Sequence, residues 1–133
     1  MRIRSAYPSI SNLEVSYVKD AIQNGWGTKR NLYTDRLIKY FSKYLNLKYI
    51  LPVINCTSAI HLSLLSAGIK KGDEVIVPDL TWISSASPLL YIGAIPVFVD
   101  VDENTLCIDS KKIEKSINKK TKAIIAVDLL GNM

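Results

Sequence analysis

The rhythm of apolar and polar positions changes once along the chain, near residue 48. Before that point the apolar residues recur at helical spacing. Asn12 to Asn24 brings Leu13, Val15, Val18, Ala21 and Ile22 close to one stripe, with Gly25 as a stop. Tyr33 to Leu45 gathers Leu37, Ile38, Phe41, Tyr44 and Leu45 on one face, with Thr34 or Asp35 as its cap. The first segment reads as a short surface helix and the second as a docking helix. After residue 48, short continuous apolar runs alternate with helical stretches. Strands are predicted at Tyr49–Asn55, Glu74–Pro78, Ile95–Asp100 and Ala123–Asp128, and helices at Thr57–Ala67, around Ser84–Tyr91 and at Ser110–Ile117. Continuous apolar strands separated by helices are what a parallel sheet covered on both faces requires, so the fold class is α/β. Pro88 removes a helical hydrogen bond, so its helix either kinks or starts later than the pattern suggests.

Composition narrows the function classes. With 133 residues, 48% hydrophobic and 22% charged, the chain can bury a sizeable core in one domain. Its net charge of +5 is scattered, with short pairs only at Lys70-Lys71, Lys111-Lys112 and Lys119-Lys120. That pattern argues against a nucleic-acid face and reads as solubility, with some welcome for anionic ligands. Cys56 and Cys107 form neither a zinc spacing nor a disulfide framework, which points to a reducing cytoplasm. No apolar run has signal-peptide or membrane-span length, so no membrane partner is expected.

The chemistry gathers at the ends of the predicted strands, where open α/β sheets bind ligands. Thr57 and Ser58 open a helix, and there a hydroxyl either caps the helix or joins the free amides in holding a phosphate. Neither GxGxxG nor GxxxxGK[ST] occurs, which leaves a dinucleotide fold or a nucleoside triphosphatase little support. Trp82 follows the second strand and is either a core filler or a ring at the ligand edge. His61, the single histidine, has no acid, serine or cysteine at a telling spacing and reads as packing. Asp100, Asp102 and Glu103 read as a strand end entering a turn, since alternate strand residues face opposite sides. Asp128 is either an active-edge residue or a solvated strand terminus.

Asn24-Gly-Trp-Gly-Thr28, Asn55-Cys-Thr-Ser-Ala-Ile-His-Leu62, Gly68-Ile-Lys-Lys-Gly-Asp-Glu-Val-Ile-Val-Pro78, Leu80-Thr-Trp82, Gly93-Ala-Ile-Pro-Val-Phe-Val-Asp-Val-Asp102 and Thr121-Lys-Ala-Ile-Ile-Ala-Val127 together resemble the amino-terminal third of the DegT/DnrJ/EryC1/StrS family. These are pyridoxal-phosphate (PLP)-dependent nucleotide-sugar aminotransferases. The resemblance implies part of the large domain of a fold-type-I, aspartate aminotransferase-like enzyme over residues 1–133. Residues 1–47 would be an N-terminal helical segment and 48–133 the βα repeats, with the small C-terminal domain absent. It further implies that Thr57 and Ser58 hold the cofactor phosphate, that Trp82 stacks on the pyridine ring, and that Trp26 and Asp128 stand on the substrate side.

The implied reaction moves an amino group from glutamate to a nucleotide-linked keto-sugar of the 4-keto-6-deoxyhexose type, in surface polysaccharide or glycan synthesis, by a cytoplasmic homodimer. The family's Schiff-base lysine and the acidic partner of the ring nitrogen are expected beyond residue 133, so these residues alone are expected to be inactive. Departures from the family pattern are Cys56 and Ser58, where a serine-glycine-threonine style turn is common, and Asp128, where histidine is frequent. A sugar dehydratase of the same family, and a catalytically inactive remnant that only associates, are the alternative expectations.

Overall fold

The structure is a computed structural model that describes residues 7–132. The chain forms two compact units, Met1–Pro52 and Val53–Met133.

The first unit is helical. Helix α1 (Asn12–Asn24) opens on a capping box: the Ser11 hydroxyl accepts the Leu13 amide at 3.2 Å, and the Glu14 carboxylate accepts the Ser11 amide at 2.6 Å. A 3₁₀ turn at Gly27–Lys29 leads to α2 (Leu32–Leu45). The cap expected from Thr34 or Asp35 does not form. The helix starts earlier, from Asn31, without a side-chain cap, and stops at Asn46, which takes the left-handed conformation at φ 52°. Tyr33 joins the two helices. Its hydroxyl donates to the Asp20 carboxylate, Asn24 Nδ2 donates to the other Asp20 oxygen at 2.8 Å, and Tyr17 meets the Tyr33 ring edge-on at 5.9 Å.

The Tyr33 hydrogen bond is the main cause of a depressed Asp20 pKa, and the same bond raises the pKa of Tyr33. A depressed carboxylate stabilises the fold above its ordinary pKa and loses that effect as pH falls through the folded-state value. A raised phenol stabilises below its ordinary pKa and loses the effect as pH climbs through its own folded-state value. Tyr33→Phe should therefore lower the denaturation midpoint relative to the parent across the neutral range. The gap should close below pH 3.8 and again above pH 10, in urea unfolding followed by circular dichroism.

The second unit is α/β. Helix α3 (Cys56–Ser66) leads to β1 (Glu74–Pro78), then α4 (Ser87–Tyr91), β2 (Ile95–Val99), α5 (Ser110–Ser116) and β3 (Thr121–Ile124). The sheet order is β2-β1-β3 and both pairings are parallel, with Ile76 opposite Val97 on one side and Ile124 on the other. Central β1 is sealed on both faces: Val75, Ile76 and Val77 have no exposed surface. Val75 and Val77 pack with Leu64 of α3, Ile69, Leu89 of α4 and Ala94, and Ile60, Ile92, Ala123 and Ile125 close around them.

Two predicted strands are corrected. Residues 49–55 form no strand: Pro52 has no amide to donate to a ladder, and Leu51 and Ile54 stand 74% and 93% exposed. The last strand begins earlier and ends sooner than Ala123–Asp128. A turn in which Thr121 donates to the Asn118 carbonyl at 3.1 Å launches it, and its last contact to β1 is the Ile125 amide on the Ile76 carbonyl at 2.8 Å. Pro88 makes its helix start late: a 3₁₀ turn at Ile83–Ser85 comes first, and Pro88 sits in the first turn of α4, where its missing amide is harmless. Gly93, at φ 72°, lies so close to Lys71 that a Cβ would come 3.0 Å from its side chain, so the turn into β2 calls for glycine.

Candidate functional site

In a parallel sheet the helices run against the strands, so the start of α3 belongs with the carboxyl ends of β1 and β2. The packing agrees: α3 contacts both α4 and the 3₁₀ turn that follows β1. Thr57 and Ser58 lie in the first turn of α3 and are half-buried. They are not its cap. Asn55 takes that role, its side-chain oxygen accepting the Ser58 amide at 2.9 Å and its carbonyl accepting the Ala59 amide at 3.2 Å. Among the described residues, the Cys56 and Thr57 amides and the Thr57 and Ser58 hydroxyls form no hydrogen bond. No acidic residue stands in this first turn. Two free amides, two free hydroxyls and the positive end of a helix dipole form a donor set suited to a phosphate.

Trp82 is not a core residue: it is 77% exposed, on the connection that leaves β1. Its backbone is held firmly. The Trp82 carbonyl accepts the Ser85 amide at 2.9 Å, and the hydroxyls of Thr81 and buried Ser85 pair at 2.8 Å, so the turn is braced while the indole stays free. A free ring on a fixed backbone can stack on a planar heterocycle. His61, one turn further along α3, meets Tyr91 of α4 edge-on at 5.7 Å, which is a packing contact between helices.

Asp128 follows β3, is exposed, and leads into the turn Leu129–Gly131, its carbonyl accepting the Gly131 amide at 3.1 Å. Asn132 ties this turn to the loop after β2, donating from Nδ2 to the Thr105 carbonyl at 2.8 Å and accepting the Cys107 thiol at 3.2 Å. Asp100, at the end of β2, is held by Lys112, a hydrogen bond that depresses its pKa and raises that of the lysine. The Asp102 carboxyl accepts the Asn104 and Thr105 amides, which depress its pKa. These acids serve the loop, and no cluster of metal-binding side chains occurs among the described residues. Trp26 lies in the first unit, 74% exposed, with its indole donating to the Ile22 carbonyl at 2.6 Å.

Sequence reasoning placed Thr57, Ser58, Trp82 and Asp128 at strand and helix ends, but passed over Asn55 and the Thr81–Ser85 brace. The signal for Asn55 was present as an N-cap residue directly before a helical run.

The parallel α/β sheet flanked by helices superposes on solved PLP-dependent aminotransferases, which places the chain in that fold class. Residues 8–133 match the DegT/DnrJ/EryC1/StrS aminotransferase family, and the chain belongs to it. GDP-perosamine synthase from Vibrio cholerae is 39% identical over 124 residues, which is 93% of this chain and 34% of that protein. The spore coat polysaccharide biosynthesis protein SpsC of Bacillus subtilis is 38% identical over 124 residues, 93% of this chain and 32% of its own length. Among solved structures, a GDP-4-keto-6-deoxymannose-3-dehydratase with a trapped PLP–glutamate species superposes with a TM-score of 0.86 at 30% identity, over 99% of this chain and 36% of that one. The chain thus spans about a third of the length of the proteins it matches.

Proposed function

We propose that these residues form the cofactor-phosphate and ring-stacking part of a PLP-dependent aminotransferase that transfers the amino group of glutamate to a nucleotide-linked keto-sugar for surface polysaccharide synthesis. The observation that carries this reading is the α3 start, where Asn55 takes over the capping and leaves the Thr57 and Ser58 hydroxyls free. When bound, PLP supplies the electron sink for amino transfer. Thr57 and Ser58, with the Cys56 and Thr57 amides, would bind its phosphate and fix its position. Trp82 would hold the ring plane, its backbone braced by Thr81 and Ser85. Asp128 and Trp26 are assigned to the sugar side. The sugar chemistry rests on the GDP-perosamine synthase and SpsC relatives, and glutamate on the species trapped in the dehydratase structure. In the same reading the enzyme is a cytoplasmic homodimer; among the described residues no helix is long and apolar enough to cross a membrane.

The close superposition of the dehydratase favours a second reading, removal of a sugar hydroxyl on the same scaffold. One experiment separates the two. Residues 1–133 replace the matching third of the Vibrio cholerae synthase, and the graft is given glutamate and a nucleotide-linked 4-keto-6-deoxyhexose. A retained cofactor and an aminated sugar support the first reading, and a deoxygenated sugar supports the second. A folded graft that holds no cofactor refutes both. In a competent graft, Trp82→Ala should loosen the cofactor by roughly 5- to 150-fold, taking ring stacking at about 1–3 kcal/mol, and shift its absorbance band.

A further inference from the structure

We infer that Asn55 sets the charge of the phosphate site: it caps α3 as an acid would, while keeping the helix start free of a carboxylate. The inference rests on the phosphate reading of this site. Asn55 is extended, at φ −163° and ψ 167°, with its side-chain oxygen on the Ser58 amide at 2.9 Å. This satisfies one of the first-turn donors and leaves the amides of Cys56 and Thr57 open.

Asparagine, aspartate and serine cap helices about equally well. A carboxylate would gain further from the positive end of the helix dipole, so stability alone favours the acid. The other helices with a side-chain cap carry an acid at their start, Glu14 in the first turn of α1 behind its neutral Ser11 cap and Asp109 as the cap of α5, and so follow the dipole rule. Helix α3 departs from it, having a neutral cap and no acid in its first turn. The departure is explained if a dianion occupies the place the carboxylate would take. An aspartate at position 55 would then keep the hydrogen bond to Ser58 and repel the ligand. Asn55 is therefore a positioning residue that acts through the helix start and decides the sign of the field there.

The test compares the full 133-residue chain with Asn55→Asp and Asn55→Ser. The probe is 4′-deoxypyridoxine 5′-phosphate, which has no aldehyde to react with lysines. Affinity is read by calorimetric titration at low and high salt, and Tm by circular dichroism. Asn55→Ser should match the parent in both. Asn55→Asp should keep or raise Tm yet bind at least about tenfold more weakly, about 1.4 kcal/mol, with the loss shrinking as salt is added. Equal affinity of the Asp and Ser variants would overturn the inference. So would a salt-independent loss accompanied by a lowered Tm, which marks a damaged cap. A parent that binds while Asn55→Asp binds equally well refutes the role of Asn55 alone, whereas a parent that does not bind the probe refutes the phosphate site and this role together.

Discussion

Replacing Thr57 with alanine in the cofactor-holding graft should weaken PLP binding by roughly 10- to 150-fold while leaving Tm within about a degree or two of the parent. The size follows from the bond that is lost. A hydroxyl donating to a phosphate oxygen is a charge-assisted hydrogen bond, and such bonds contribute about 1.5–3 kcal/mol, with about 1.4 kcal/mol equal to tenfold in affinity. The unchanged Tm follows from the capping pattern, since the Thr57 hydroxyl forms no hydrogen bond in the helix and Asn55 holds the cap. His61→Ala is the contrasting variant. It removes the contact to Tyr91 between α3 and α4 and should lower Tm with little effect on affinity. Equilibrium dialysis and thermal melts of both variants decide the matter. If Thr57→Ala binds like the parent while His61→Ala does not, the phosphate assignment fails.

That contrast also shows what was legible in the sequence. The apolar runs Glu74–Pro78 and Ile95–Val99 are strands because central parallel strands bury both faces, and the pattern of Val75, Ile76 and Val77 states that directly. The run from Tyr49 to Asn55 carries the same composition but forms no strand, because a strand is defined by a pairing partner that periodicity does not encode. The site followed the same division. Thr57 and Ser58 were visible as hydroxyls at a helix start, but whether they cap the helix depends on which residue the helix begins from. The structure begins α3 at Cys56 and gives the cap to Asn55. Composition alone leaned towards a core place for Trp82, and its 77% exposure on a braced turn shows that it is not a core residue of the described fold. The box formed by Ser11 and Glu14 was legible and was passed over, although the spacing of a hydroxyl three residues before an acid announces it.

The helix start of α3 is only as well placed as the core beneath it, and Leu89 is the residue on which that core most depends. Helix α4 spans five residues with Pro88 in its first turn, so its own backbone hydrogen bonds hold it weakly. What holds it is Leu89, with no exposed surface, packed among Leu64 of α3 and Val75 and Val77 of β1. Leu89→Ala removes most of a buried side chain and leaves a cavity between two helices and the sheet. Such changes cost about 2–5 kcal/mol, against total stabilities of about 5–15 kcal/mol for ordinary domains. The expected result is a urea midpoint shifted far down at unchanged slope, or a second unit already unfolded in water. Leu90→Ala, next along the helix and 64% exposed, should stay within about 0.5 kcal/mol of the parent. A Leu89→Ala variant that loses less than about 1 kcal/mol would mean that α4 does not pack against α3 and β1 through this side chain.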